Sequence, residues 1–289
     1  MTVTDDVQVS RSPPRADVVH ARINYVAPMD ERPLFHAQDH RRDNLVYDPH
    51  TVAIHDARAF ARPPSLDVEG IALHRHATKV TDFRDRDQVL GVYLPEIEQL
   101  VRELTGASYV FVIPGGGLVR FAERSPHFGT GMNTQPARFP HVDFTHKSAP
   151  GIAVDGFGGE VAPLKPGQRL VGYNIWRATT APPQDVPLAV CDIRTIARED
   201  LVVAYGVYDE GDPATWWTSE AYLLRHSPAH RWIYFRDMRP DEALVFRAYD
   251  SDRAEHPAVP HSAFDDPTCP PGAAGRESIE ARAYAVFDA

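Results

Sequence analysis

Past Gly106 the chain is cut into short stretches rich in Val, Tyr, Phe and Ile, each closed off by Pro, Gly or Asp, and this pattern restricts the fold more than any other feature. Eleven such stretches can be marked, at 108–113, 118–122, 139–146, 169–176, 188–192, 201–208, 221–225, 232–235, 243–249, 259–264 and 281–287. Runs of this length and composition predict strands, and eleven of them suffice for two facing sheets. The 26 prolines agree, because proline is tolerated at strand ends, edges and turns but removes a bond from a ladder or a helix interior.

Before the strands lies one helical pattern, near 82–105. Val89, Leu90, Val92, Tyr93, Ile97, Leu100, Val101 and Leu104 recur at helical spacing, Asp82 or Asp87 is placed to cap the start, and Gly106 is placed to stop it. Pro95 inside the run predicts a kink or a division into two helices. Short apolar pieces between residues 21 and 59 predict strands that lead into the domain. The expected architecture is mainly β, a double-stranded β-helix (jelly roll, cupin-like) with supporting N-terminal helices. Residues 1–18 are polar and predict a flexible arm, which leaves 19–289 as a single domain without an internal repeat.

Of the 289 residues, 43% are hydrophobic and 24% charged, the balance of a soluble globular protein. A net charge of −10 disfavours nonspecific binding to nucleic acid or to an anionic membrane. Cys191 and Cys269 are too few for a disulfide framework, and no apolar run approaches the roughly 20 residues of a membrane span. The N-terminus lacks the apolar centre of a signal peptide. These features predict a cytoplasmic protein that binds neither nucleic acid nor membrane; they say nothing of its oligomeric state.

Chemistry enters with Pro140-His141-Val142-Asp143-Phe144. Side chains two apart on an extended strand share a face, so His141 and Asp143 offer an imidazole nitrogen and a carboxylate oxygen to one point. A distant third histidine would complete two-His, one-carboxylate ligation with open positions, the donor set of non-heme Fe(II) sites. His261 is the preferred third ligand. His230 is the rival, but the His226/His230 pair needs a helix to converge, and Pro228 opposes one. His146 lies an odd number of residues from Asp143 and faces away. An ordinary alternating strand and a satisfied core histidine are the plain readings of the same residues. Arg276, 15 residues beyond His261, offers a planar fork of donors to a carboxylate, and Ser278 adds a hydroxyl on the same strand face. Arg282 has matching parity and is the substitute.

The order and spacing of His141, Asp143, His261, Arg276 and Ser278 resemble the Fe(II)/2-oxoglutarate-dependent oxygenases. More narrowly, several stretches are similar to the CmcJ/NvfI-like (gibberellin-desaturase-like) group. They are Asn174-Ile175-Trp176-Arg177, Pro187-Leu188-Ala189-Val190-Cys191-Asp192, Trp232-Ile233-Tyr234-Phe235, Met238-Arg239-Pro240-Asp241-Glu242, Tyr249-Asp250-Ser251, His261-Ser262-Ala263-Phe264-Asp265-Asp266-Pro267 and Arg276-Glu277-Ser278-Ile279-Glu280. The likeness runs from about Val19 to the C-terminus and is dense after Gly172. It departs at Ile113-Pro114-Gly115-Gly116-Gly117, where a histidine-containing turn is expected.

The resemblance implies that His141, Asp143 and His261 hold Fe(II). It implies that Arg276 and Ser278 bind the distal carboxylate of 2-oxoglutarate, and that O2 is the oxidant. The implied reaction is hydrogen abstraction from a small-molecule, secondary-metabolite substrate, giving hydroxylation, desaturation or ring or peroxide formation. Two alternatives stand beside it: a cupin-type metalloenzyme that does not use 2-oxoglutarate, and a non-catalytic partner in a biosynthetic complex. Trp176 and Arg177 are expected in a pocket wall or in the core. Trp216 and Trp217 are expected in a loop covering the site mouth. His74-Arg75-His76 reads as a solvated strand face. Gly115–Gly117 reads as a turn, without the Lys and Ser/Thr of a phosphate loop.

Overall fold

The computed structural model describes residues 17–36, 39–113, 117–130, 135–156, 165, 167–209, 213, 216–253 and 258–288. The expected arm at 1–18 lies outside them except for Asp17 and Val18, and Val18 already belongs to the first strand. The expected Gly115–Gly117 turn lies outside them except for Gly117.

Three strands, β1 (Val18–Val26), β2 (Leu34–His36) and β3 (Tyr47–Asp56), open the chain, followed by β4 (Ile71–Arg75). A helical passage then runs through α1 (Arg86–Gln88), a π-type turn (Val89–Tyr93) and α2 (Leu94–Thr105). Next come β5 (Tyr109–Val112), β6 (Leu118–Phe121), β7 (His141–Val142) and α3 (Ser148–Gly156). The remainder is strand: β8 (Arg169–Ala178), β9 (Leu188–Cys191), β10 (Leu201–Tyr208), β11 (Trp217–Leu224), β12 (Trp232–Tyr234), β13 (Glu242–Asp250), β14 (His261–Ala263) and β15 (Glu277–Phe287). They form a nine-stranded sheet in the order β1-β3-β12-β9-β14-β7-β11-β10-β2 and a second sheet in the order β4-β13-β8-β15-β5, with β6 also pairing with β15. This is the mainly β, two-sheet jelly-roll architecture expected from the strand pattern.

The period of two sorts the second sheet into two apolar faces. Leu244 and Phe246 of β13 and Trp176 of β8 point inward and pack on Leu188, Val190 and Ile233 of the nine-stranded sheet. Ala243 and Val245 of β13, Tyr173 and Ile175 of β8, and Ile279, Ala281 and Ala283 of β15 point outward onto the helix, against Tyr93, Ile97 and Val101. Ile97 and Val101 are fully buried, each worth about 1.5–3 kcal/mol relative to exposure. Covered on both faces, β13 is buried at all nine positions; Ala243–Phe246 is its continuous apolar run, and Glu242, Arg247 and Asp250 are the charged exceptions. The inward positions of β15 are the exception: Ser278, Glu280 and Arg282 are polar, and they mark the site.

Three expectations change in detail. The helix starts at Arg86, capped by the Asp85 side chain, which accepts from the amides of Asp87 and Gln88; neither Asp82 nor Asp87 is the cap. Pro95 sits in the first turn of α2, where a missing amide hydrogen costs little, and the passage divides at the π-type turn before it. Gly106 ends α2 in the left-handed conformation at φ 67°. The strand expected over 139–146 shortens to His141–Val142. Thr145 and Ser148 bond reciprocally, amide to hydroxyl, at 2.9 and 3.0 Å, and so begin α3 instead. Among the described residues, no helix is long and apolar enough to cross a membrane.

Candidate metal centre

His141 and His261 stand directly opposite each other on the neighbouring strands β7 and β14, with ring centroids 4.2 Å apart. Asp143 follows β7 by one residue. The ligand atoms of His141, Asp143 and His261 all lie within 4.8 Å of one another. Backbone register therefore places the two imidazoles, and the turn after a two-residue strand brings in the carboxylate.

The protonation states suit a cation. His141 Nδ1 is 2.9 Å from the Phe139 carbonyl; a proton donated there leaves Nε2 free to coordinate. Burial, and then the adjacent His261, lower the His141 pKa to about 4, and burial lowers that of His261 as well. Both rings are neutral near pH 7. Burial opposes ionisation of Asp143, but the Arg282 guanidinium, with the Asn174 hydrogen bond beside it, outweighs burial and holds the carboxyl well below its usual range. The His261 Nε2 is buried with no hydrogen-bond partner among the described residues. An orphaned imidazole nitrogen beside a second neutral imidazole and an ionised carboxylate is the donor set of Fe(II), and the site fits that ion.

A cavity opens from this cluster, lined by His141, His261, Trp176, Arg276, Arg120 and Glu280. Arg276 is 2% exposed at its wall. Its backbone amide donates to Asp185 Oδ1 at 2.7 Å, its Nε donates to the Val186 carbonyl at 2.8 Å, and its Nη1 donates to Ser278 Oγ. The guanidinium stands 5.6 Å from the Trp176 ring centroid. Among the described residues, no carboxylate forms an ion pair with it, and burial lowers its pKa to about 9. Gly275 permits this placement: a Cβ there would lie 2.1 Å from the Ser125 amide nitrogen, so only glycine lets the chain pass that backbone just before Arg276.

A family model described as "YDMC: Oxidoreductase/YMDC permease-like domain" matches residues 23–287. The Fe(II)/2-oxoglutarate-dependent dioxygenase nvfI of Aspergillus novofumigatus is 31% identical over 247 residues, which cover 83% of this chain and 84% of that protein. This chain belongs to the Fe(II)/2-oxoglutarate-dependent dioxygenase family. The alpha-ketoglutarate-dependent dioxygenase phiK of a fungal species is 30% identical over 93% of this chain and 96% of its own length. The hydroxylase/desaturase efuI of Hormonema carpetanum is 32% identical over 84% and 86%. A solved structure of the iron and alpha-ketoglutarate-dependent endoperoxidase NvfI aligns with a TM-score of 0.80 at 27% identity, covering 96% of this chain and 100% of that one.

Within this dioxygenase the other sequence candidates take different places. His230 bonds Asp200 Oδ2 at 3.0 Å and faces Tyr25, far from the cluster in the hydrogen-bond network. His146 packs against the Tyr249 ring. Trp176 lines the cavity, whereas Arg177, one residue on and therefore on the other face, donates to the carbonyls of His76 and Pro240 at 2.8 and 2.6 Å. His76 thus helps to hold a buried cation and is more than a solvated strand face. Trp217 is not in a loop: it opens β11 and stacks on Tyr208, its cross-strand partner, at 4.0 Å. Arg282, the substitute anchor, is already committed. Its Nη2 lies 2.7 Å from Asp143 Oδ1 and 2.9 Å from Glu280 Oε1.

Asn174 and Glu280 were not singled out from the sequence. Asn174 Nδ2 donates to Asp143 Oδ2 at 2.6 Å. Glu280 lines the cavity with its Oε2 3.9 Å from His261 Nε2. The available signal was parity: Glu280 lies two residues from Ser278 and four from Arg276, and Asn174 is the one amide in an otherwise apolar run of β8.

Proposed function

We propose that this dioxygenase oxidises a small-molecule metabolite with 2-oxoglutarate as cosubstrate, through a single jelly-roll oxygenase domain spanning 19–289. His141, Asp143 and His261 hold Fe(II), and Arg276 with Ser278 receives the distal carboxylate of 2-oxoglutarate. Fe(II) held there supplies the redox chemistry that joins O2 to oxidative decarboxylation of the keto acid and to hydrogen abstraction from the substrate.

The residues divide the remaining work. Two neutral imidazoles and one carboxylate would hold the ion while leaving room on it for the keto acid and O2. Arg276 presents its guanidinium, pre-ordered by Val186 and Ser278, to a carboxylate. Trp176, Leu188 and Ala263 give the cavity an apolar wall that keeps bulk water from the reacting atoms.

The observation that carries this reading is the buried Arg276 beside a metal-type cluster, its guanidinium in ion-pair contact with no carboxylate among the described residues. A metal site that used no 2-oxoglutarate would leave that cation unexplained, at the cost of burying it. The test is turnover of the cosubstrate. Purified protein with Fe(II) and O2 is expected to convert 2-oxoglutarate to succinate even without its substrate, and addition of a metabolite library should raise that rate for the true substrate class. Metal binding with no succinate formed under any of these conditions would overturn it.

A further inference from the structure

The carboxylate of Asp143 reaches the site from the nine-stranded sheet, but the groups that grip it come from the other sheet. Arg282 of β15 and Asn174 of β8 are direct cross-strand partners. Arg282 donates from Nη2 to Asp143 Oδ1 at 2.7 Å and from Nε to Oδ2 at 3.2 Å, and Asn174 donates from Nδ2 to Oδ2 at 2.6 Å. The same Nη2 of Arg282 also pairs with Glu280 Oε1 at 2.9 Å. An ionised carboxylate has about four acceptor sites, so these three bonds leave one to face a metal.

We propose that Arg282 and Asn174 are positioning residues that orient Asp143 toward the metal, with Glu280 fixing Arg282 in place. This inference rests on the reading of His141, Asp143 and His261 as the metal ligands. The clamp differs from a surface ion pair in its geometry. It is bidentate and part-buried, reinforced by an amide on the neighbouring strand, and spans the two sheets just where β7 has left its ladder. Asp143 follows a strand of only two residues and precedes a helix start, so its own backbone holds it less firmly than β7 and β14 hold the histidines. Outer partners of metal-bound carboxylates act in this way, ordering the ligand before the ion arrives, and their loss typically weakens metal binding by about 10–100-fold.

The role separates from the work assigned to Arg276, although both are arginines of one strand face. Arg282 carries two carboxylate partners, and its Nε/Nη2 fork is taken up by Asp143. Substituting it should act on the metal, and substituting Arg276 should act on 2-oxoglutarate.

The experiment titrates metal-free full-length protein with Co(II) by calorimetry and by the visible absorption of the bound ion. Three variants accompany the parent: Arg282→Lys, which keeps the charge and loses the fork, Asn174→Ala, and Arg276→Lys as the contrast. Melting temperatures of the metal-free proteins are measured alongside. Arg282→Lys and Asn174→Ala are expected to weaken Co(II) binding about 10–100-fold, beyond anything a change in melting temperature accounts for, while Arg276→Lys binds Co(II) like the parent. Unchanged or tighter binding in a folded Arg282→Lys and a folded Asn174→Ala overturns the inference; tighter binding would show that the arginine competes with the metal. If Arg282→Lys fails to fold, Asn174→Ala decides alone, because it removes one donor and no charge. A parent protein that binds no Co(II) overturns the ligand assignment itself, a result distinct from equal binding by all four proteins.

Discussion

Arg276 and Arg282 lie six residues apart in one segment of chain and line one cavity, yet they are in opposite electrostatic situations. Arg282 has Asp143 and Glu280 within 3 Å, and those carboxylates raise its pKa above the usual arginine value. Arg276 bonds a carbonyl and a hydroxyl, pairs with no described carboxylate, and its pKa is lowered by burial. A buried cation with its counter-charges supplied by the fold serves structure or ligand positioning. A buried cation without them is waiting for an anion. The contrast supports the proposal that 2-oxoglutarate binds at one end of the row and that the other end supports the metal ligands, a distinction that residue type and spacing alone do not draw.

The most drastic way to break the contrast is to remove the anion at the Arg282 end. Asp143→Ala takes away a proposed metal ligand and one of the two carboxylates paired with Arg282, leaving Glu280. Succinate formation is expected to vanish, and saturating Fe(II) is not expected to restore it. Near-parental turnover in the purified, folded variant would remove Asp143 from the metal site, and with it the reason for the clamp.

The second largest effect is expected at the other end. Arg276→Lys keeps the charge but loses the planar fork, which Lys cannot imitate. Breaking one side of a desolvated, hydrogen-bonded charge pair typically costs about 2–5 kcal/mol, or roughly 30-fold to several thousand-fold in affinity. The half-saturating 2-oxoglutarate concentration should rise by a factor in that range. An unchanged value, measured from succinate formation across a 2-oxoglutarate series, would mean that the unpaired cation has another purpose.

Much of this site was legible before the structure, and the boundary of legibility is physical. Strand composition, the period of two and punctuation by Pro and Gly are local properties, so the two-sheet architecture and most strand positions could be read directly. The convergence of His141, Asp143 and His261 could be anticipated because metal ligation demands particular side chains at constrained spacing. Choosing between Arg276 and Arg282 was beyond that method. Arg276, one residue before β15, and Arg282 within it share parity, and the difference lies in partners far away in sequence, Val186 at 90 residues for the first and Asp143 at 139 for the second. The early end of β7 was missed because the Thr145–Ser148 cap, a competing local signal, overrides an alternating pattern that continues through it. Trp217 was read as loop because its stack on Tyr208 depends on the β10–β11 register, a pairing between strands.

The sharpest comparison of the two ends is in the stability of the metal-free protein, where Arg276→Met is expected to give the smallest effect of all. Arg282→Met leaves Asp143 and Glu280 buried near each other with their shared cation gone. Removing one partner of a buried ion pair typically costs about 3–5 kcal/mol. Arg276→Met loses two charge-assisted hydrogen bonds, each worth about 1.5–3 kcal/mol, to the Val186 carbonyl and the Ser278 hydroxyl. It also relieves the burial of a cation that no described carboxylate pairs with, which offsets that loss. Denaturant unfolding should therefore place Arg276→Met closer to the parent and Arg282→Met clearly below it. The order matters more than either value, since the two substitutions remove the same side chain from the same strand face. Equal destabilisation would mean that Arg276 has a counter-charge within the fold, and the case for a carboxylate ligand at that end would fail on stability data alone, before any activity is measured.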